Sequence, residues 1–175
     1  CDAVPLQMPI GKEYNLEGVI DLIAMKAIYF DGANGENVRT EDIPEALAKD
    51  AAEQRHAMLE ALAMYSDPMM EKLLSEEEPS EEEIHAVVKS AVQNQSITPV
   101  FCGSAYKNKG VQPLLDAIVS YLPSPVEKKI VAKKWDNPDE LIDLTPDPTK
   151  PLVAMAFKIV DDPYGQLTFM LLYQG

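Results

Sequence analysis

A chain of 175 residues, 46% hydrophobic and 25% charged, has material for one sizeable core, or a core with a small satellite. Its formal net charge of -14 repels phosphate backbones, which argues against direct contact with DNA or other nucleic acid and leaves a basic protein partner or plain solvation. No stretch reaches the ~18 consecutive apolar residues of a membrane-spanning helix, so no membrane partner is expected. Cys1 and Cys102 form no CxxC pair or disulfide framework, which points to a reduced, cytoplasmic setting, with Cys102 a small buried hydrophobe. The chain opens at Cys1 without Met and stops at Gly175 just after a strand-like run, so neither end reads as native.

In chain order, Val4 to Gly11 alternates with period two and reads as one strand, its two prolines suiting an edge or a bulge. Gly18 to Ile23 and Met25 to Phe30 read as two short strands with a break near Ala24, followed by a turn at Asp31-Gly32-Ala33-Asn34-Gly35. From Pro44 the period turns helical. Leu47, Ala51, Met58, Leu62 and Tyr65 line one face, and Lys49, Glu53, Arg55, His56 and Glu60 point elsewhere.

Asp67-Pro68 predicts the cap and start of a short second helix ending near Leu74. Ser80 and Glu83 have capping-box spacing before an apolar face of Ile84, Val87, Val88, Ala91 and Val92. Ile97 to Cys102 reads as a strand buried on both faces of a parallel sheet. A loop from Gly103 to Gly110 leads into a helix that should bury Val111, Leu114, Leu115, Ile118 and Leu122 and stop at Pro123. Residues 124–150, with many prolines and charges, read as a linker. From Pro151 an alternating pattern turns at Asp161 to Gly165 and returns through Leu167 to Tyr173, like the opening hairpin of a β-barrel.

The loop Gly103-Ser104-Ala105-Tyr106-Lys107-Asn108-Lys109-Gly110 stands where open α/β sheets place ligands, after a strand and before a helix. Small residues there let main-chain N–H groups approach a planar ring; a purely structural loop fits the same letters. His56 and His85 lack metal-ligand spacing and read as surface histidines. The acidic run from Glu76 to Glu83 favours the positive end of the following helix, and Met64, Met69 and Met70 read as core filler.

Pro99 to Asp116, with Cys102-Gly103-Ser104-Ala105 at its centre, resembles the last guanine-recognition motif of the elongation factor G family of translational GTPases. Val4 to Gly11 and Gly18 to Leu22 resemble the start of the subdomain inserted in that family's G domain, Tyr121 to Pro125 its exit, and Pro151 to Ile159 the entry to its second domain. The resemblance implies an α/β fold. Residues 1–10 would be a G-domain strand, 11–95 an α+β insert, 96–123 the last strand, guanine loop and helix of an incomplete P-loop-type G domain, 124–150 a linker and 151–175 the first strands of a β-barrel.

It implies further that Ser104, Ala105 and Lys107 form the guanine-binding set. The Ala105 N–H would meet the base carbonyl and the Ser104 hydroxyl would order the loop, while Tyr106 intervenes before Lys107, as it does in that family. GTP or GDP is then the ligand of the intact protein, the ribosome its partner, and the insert the surface for the C-terminal domain of the ribosomal stalk protein. One departure is visible, since Tyr164 and Gly165 are adjacent where the family commonly has one more residue.

No G-x-x-x-x-G-K-[ST] loop and no Asn-Lys-x-Asp motif is present, so no catalytic residue and no Mg²⁺ ligand is expected in this stretch, which alone should be inactive. Ribosome recycling, ribosome protection against an antibiotic, or a protein-interaction module without a nucleotide role remain as alternatives to translocation.

Overall fold

The computed structural model describes residues 2–175, so Cys1 lies outside it. The chain divides between Leu122 and Pro123 into two compact units. In the first, the extended run at the start is two strands, β1 (Asp2–Pro5) and β2 (Gln7–Ile10). They part at Leu6, which is buried; its N–H donates to the Val100 carbonyl and its own carbonyl accepts from Leu22. After a 3₁₀ turn (Glu13–Asn15) come β3 (Gly18–Asp21), β4 (Lys26–Asp31) and β5 (Asn37–Glu41). β2, β3, β4 and β5 pair in that order as an antiparallel sheet. The Asp21 carboxylate makes the break between β3 and β4 by accepting from the N–H groups of Ile23 (2.8 Å) and Ala24 (3.1 Å).

Three helices follow, α1 (Glu45–Ala63), α2 (Asp67–Leu74) and α3 (Glu81–Gln93). The cap of α2 is Ser66, whose hydroxyl accepts from the Met69 N–H at 3.4 Å, and not Asp67. The extended backbone of Ser66 leaves its oxygen over the first turn, which already includes Asp67 and Pro68. The capping box of α3 is formed in both directions, Glu83 N–H to Ser80 Oγ at 3.3 Å and Ser80 N–H to Glu83 Oε2 at 2.8 Å. Leu6, Ile20 and Leu22 from the strands, Met58 and Leu62 from α1, and Ile84 and Val88 from α3 make one core. Each such side chain contributes about 1.5–3 kcal/mol by leaving water. Met69 joins that core, whereas Met64, just past the end of α1, is 73% exposed.

β6 (Ile97–Val100) runs parallel to β1, its one partner among the described residues. It is therefore half-buried, with Val100 exposed, and not covered on both faces. α4 (Val111–Tyr121) also departs from its pattern. It seats Ala117 and Tyr121 in the core and leaves Leu114, Leu115, Ile118 and Leu122 exposed. The two-stranded β1–β6 ribbon offers too little sheet to cover the broad apolar face of this helix.

In the second unit the proline-rich tract contains a hairpin, β7 (Ile130–Lys133) with β8 (Leu141–Leu144). β9 (Val153–Asp162) and β10 (Gly165–Gln174) form a longer antiparallel pair around a turn at Pro163 and Tyr164. Asp162 Oδ1 closes it by accepting from the Tyr164 N–H at 3.0 Å, which fits adjacent Tyr164 and Gly165. No helix among the described residues is long and apolar enough to cross a membrane.

Candidate functional site

The Gly103–Gly110 loop is closed by its own backbone. Ser104 and Lys109 exchange both main-chain hydrogen bonds, N–H to carbonyl at 2.8 and 3.1 Å. Between them the chain turns through Ala105 to Asn108, with Lys107 N–H donating to the Ser104 carbonyl (3.2 Å) and lying 3.4 Å from Ser104 Oγ, and Asn108 N–H donating to the Ala105 carbonyl (3.1 Å). The Ser104 hydroxyl thus braces the turn. Asn108 takes the left-handed conformation that the turn demands, with φ of 51°.

Two glycines let the loop's ends meet. A β-carbon on Gly103 would stand 2.6 Å from the Lys109 carbonyl oxygen, and one on Gly110, at φ of 80°, would strike the Cys102 carbonyl. Below the loop, buried Gln7 accepts from the Cys102 N–H at 3.3 Å, and burial pushes the Cys102 thiol up from its ordinary value.

At the crest, Ala105 and Tyr106 are exposed, and their N–H groups have no acceptor among the described residues. A ligand carbonyl can reach the Ala105 donor without displacing an internal hydrogen bond. The structure brings Ser104 and Ala105 together in this way but turns the third residue of the set aside. The Lys107 ammonium donates to the Tyr14 carbonyl at 2.6 Å and lies 5.7 Å from the Tyr14 ring centre. Asn108, Lys109 and Gln112 also reach backbone carbonyls across the unit, at Asn34 (2.9 Å), Leu16 (3.0 Å) and Gly35 (3.0 Å).

Elsewhere, a groove of about 190 Å³ lies between the start of α2 and α3, with Met69 and Val87 in its floor and Lys72 and Glu83 at its rim. His56 is exposed beside Glu60, and His85 Nδ1 lies 2.7 Å from the Tyr121 hydroxyl, which burial pushes up to about 12. No three potential metal ligands come together among the described residues.

Periodicity misplaced Arg55. Its side chain is 12% exposed, and its guanidinium donates to the Leu22 and Ile23 carbonyls at 2.7 and 2.6 Å. Gln7 and Tyr14 carried no sequence signal for their roles at the loop; Gly35 had a cue, as a turn residue.

No family model matches the chain. Elongation factor G of Rhodopirellula baltica is 55% identical to it over 175 residues, 100% of this chain and 25% of that protein. Elongation factor G 2 of Bdellovibrio bacteriovorus is 49% identical over 99% of the chain and 25% of its own length. The mitochondrial elongation factor G-1 of Arabidopsis thaliana is 45% identical over 97% of the chain and 22% of its own length. A crystal structure of a Thermus thermophilus protein, 26% identical, matches with a TM-score of 0.72 over 99% of this chain and 23% of that one. The chain thus spans about a quarter of the length of the curated relatives it matches.

Proposed function

We propose, for a chain that belongs to the elongation factor G family, that it supplies the guanine side of the nucleotide site in a GTPase driving tRNA and mRNA through the ribosome. The observation that carries this reading is the exposed, unpaired Ala105 N–H at the crest of a loop braced by Ser104, at the carboxyl end of β6 and before α4. Guanine presents a carbonyl at O6 that this donor fits, and Ser104 and Ala105 would border the ring, while Lys107, held on the Tyr14 carbonyl, braces the loop from the side. The phosphates and Mg²⁺ find no counterpart in this sequence, so their contacts belong to the greater part of the relatives' length that it does not span. The exposed apolar face of α4 is then where more of a G-type sheet would pack.

In the full-length factor, Ala105→Pro removes the donor. GDP affinity should fall about tenfold, the worth of one hydrogen bond to the base. A 2-aminopurine ribonucleotide, which lacks O6, should bind both proteins alike. Unchanged GDP affinity in a folded variant would reject the assignment. The 175-residue chain by itself should hydrolyse no GTP above background, and turnover by the purified chain that copurifies with no other GTPase would overturn that.

A second surface follows from the groove between α2 and α3. Its apolar floor and the acidic side chains Glu81, Glu82 and Glu83 suit a basic, partly apolar partner, and we assign it to the stalk protein's C-terminal domain. Titration at rising salt should weaken that binding, and salt-independent binding would exclude a charge-led contact.

A further inference from the structure

We infer that the insert holds the guanine loop in register through Lys109 and Asn108, which are positioning residues for the base, gripping two turns at one end of the four-stranded sheet. The inference rests on the reading of Ser104 and Ala105 as the guanine contact. In an antiparallel sheet of order β2-β3-β4-β5, the β2–β3 and β4–β5 connections fall at the same end, and the β3–β4 turn at the other. The first of these connections carries Tyr14 and Leu16, the second Asn34 and Gly35.

All four carbonyls are taken by side chains of the loop and the first turn of α4. Lys107 Nζ donates to Tyr14 at 2.6 Å, Lys109 Nζ to Leu16 at 3.0 Å, Asn108 Nδ2 to Asn34 at 2.9 Å and Gln112 Nε2 to Gly35 at 3.0 Å. The donors are side chains and the acceptors main chain, so the grip senses where the two turns lie and not what side chains they carry.

Gly35 gives a second, independent sign of close seating. Its φ is 61°, and a β-carbon there would come within 2.7 Å of the Asn108 carbonyl oxygen and 2.9 Å of that of Lys107. Backbone meets backbone at that point, and only glycine admits it.

The Ser104–Lys109 hydrogen bonds close the loop but do not orient it. Orientation comes from Lys107, Asn108 and Lys109, in the same turn as Ala105, so release of the grip displaces the base donor directly. A hydrogen bond weakens steeply once its angle or distance drifts, which makes guanine affinity a reporter of the grip.

The test is a GDP titration of the full-length factor carrying Asn108→Ala with Lys109→Met, and separately Gly35→Ala, with a 2-aminopurine ribonucleotide as the control ligand. Both variants should raise the GDP Kd about tenfold while leaving the control ligand within about twofold, and Lys109→Arg, which keeps a donor, should bind GDP like the parent. Hydrogen exchange should quicken at the Asn108 and Lys109 amides and stay unchanged in β3, a localised response that general loss of stability does not give. GDP affinity within twofold of the parent in both variants, with the parent preferring GDP over the control, would overturn the grip and leave the guanine contact standing. A parent that does not prefer GDP would remove both.

Discussion

Arg55 donates from one guanidinium nitrogen to two successive carbonyls, Leu22 and Ile23, and from the other to Glu78 at 3.2 Å. It ties α1 to the β3–β4 turn, whose own N–H groups are held by Asp21. Arg55→Lys keeps the charge but cannot span the same fork, and should cost about 2 kcal/mol in urea unfolding, the scale of a lost charged hydrogen bond. An unchanged midpoint would show that the carbonyls find water equally well.

Glu83 titrates in the opposite sense to a buried acid. The Lys72 ammonium, 2.6 Å away, and then the Ser80 N–H hold its carboxyl below the ordinary glutamate value. A lowered folded value means that its stabilisation is present above the ordinary value and is lost as pH falls through the folded one. Between about pH 5 and about pH 3 the parent should therefore lose stability more steeply than Glu83→Gln, which keeps the cap but cannot titrate. Thermal unfolding across that range checks it, and parallel curves would exclude Glu83 as a source of acid lability. Ser80 and Glu83 were legible in the sequence because a capping box is local. Arg55 was not, because its carbonyl partners lie more than thirty positions away.

Elements follow the same division between local and distant causes. The helical period announced α1 and α3 because their buried residues, Met58 and Leu62, then Ile84 and Val88, recur on one face of each helix. Alternation could not divide β1 from β2, since nothing in Val4 to Gly11 says that Leu6 is where the chain leaves one sheet for another. β5 is exposed along its length, so it carries no apolar alternation to read. The strands of the β7–β8 hairpin are too short to show a period.

The apolar face of α4 was legible as apolar, but its burial depends on how much sheet lies beneath it, and the two-stranded β1–β6 ribbon covers little of it. In the chain as described, Tyr121, stacked on His85, and Ala117 anchor the helix while Leu115 is 56% exposed. Leu62→Ala should accordingly cost about 3 kcal/mol, and Leu115→Ala less than about 1 kcal/mol in the same chain. Equal costs would mean that Leu115 is covered in solution.

Across the whole molecule, order should follow the number of layers that each strand has. β3 and β4 each have two strand partners, and β3 buries Gly18, Val19 and Ile20. β6 has one partner among the described residues and exposes Val100. β9 and β10 have only each other among the described residues and expose Phe157, Ile159, Phe169 and Met170, among others. A two-stranded ribbon is at best marginally stable in water, whereas a sheet backed by helices opens only with its core. Native-state hydrogen exchange on the 175-residue chain should rank Val19, Ile20, Met58 and Leu62 slowest, β6 intermediate and the β9–β10 amides fastest. The Gly103–Gly110 loop was readable in its letters, Ser104 and Ala105, yet its bracing comes from turns about seventy and ninety positions earlier in the chain. Its Asn108 and Lys109 amides should therefore exchange with the four-stranded sheet, more slowly than those of β6. Strong protection of Ile97 to Val100 in a monomer, exceeding that of β3, would reverse this order and place the stable nucleus at the β1–β6 pair.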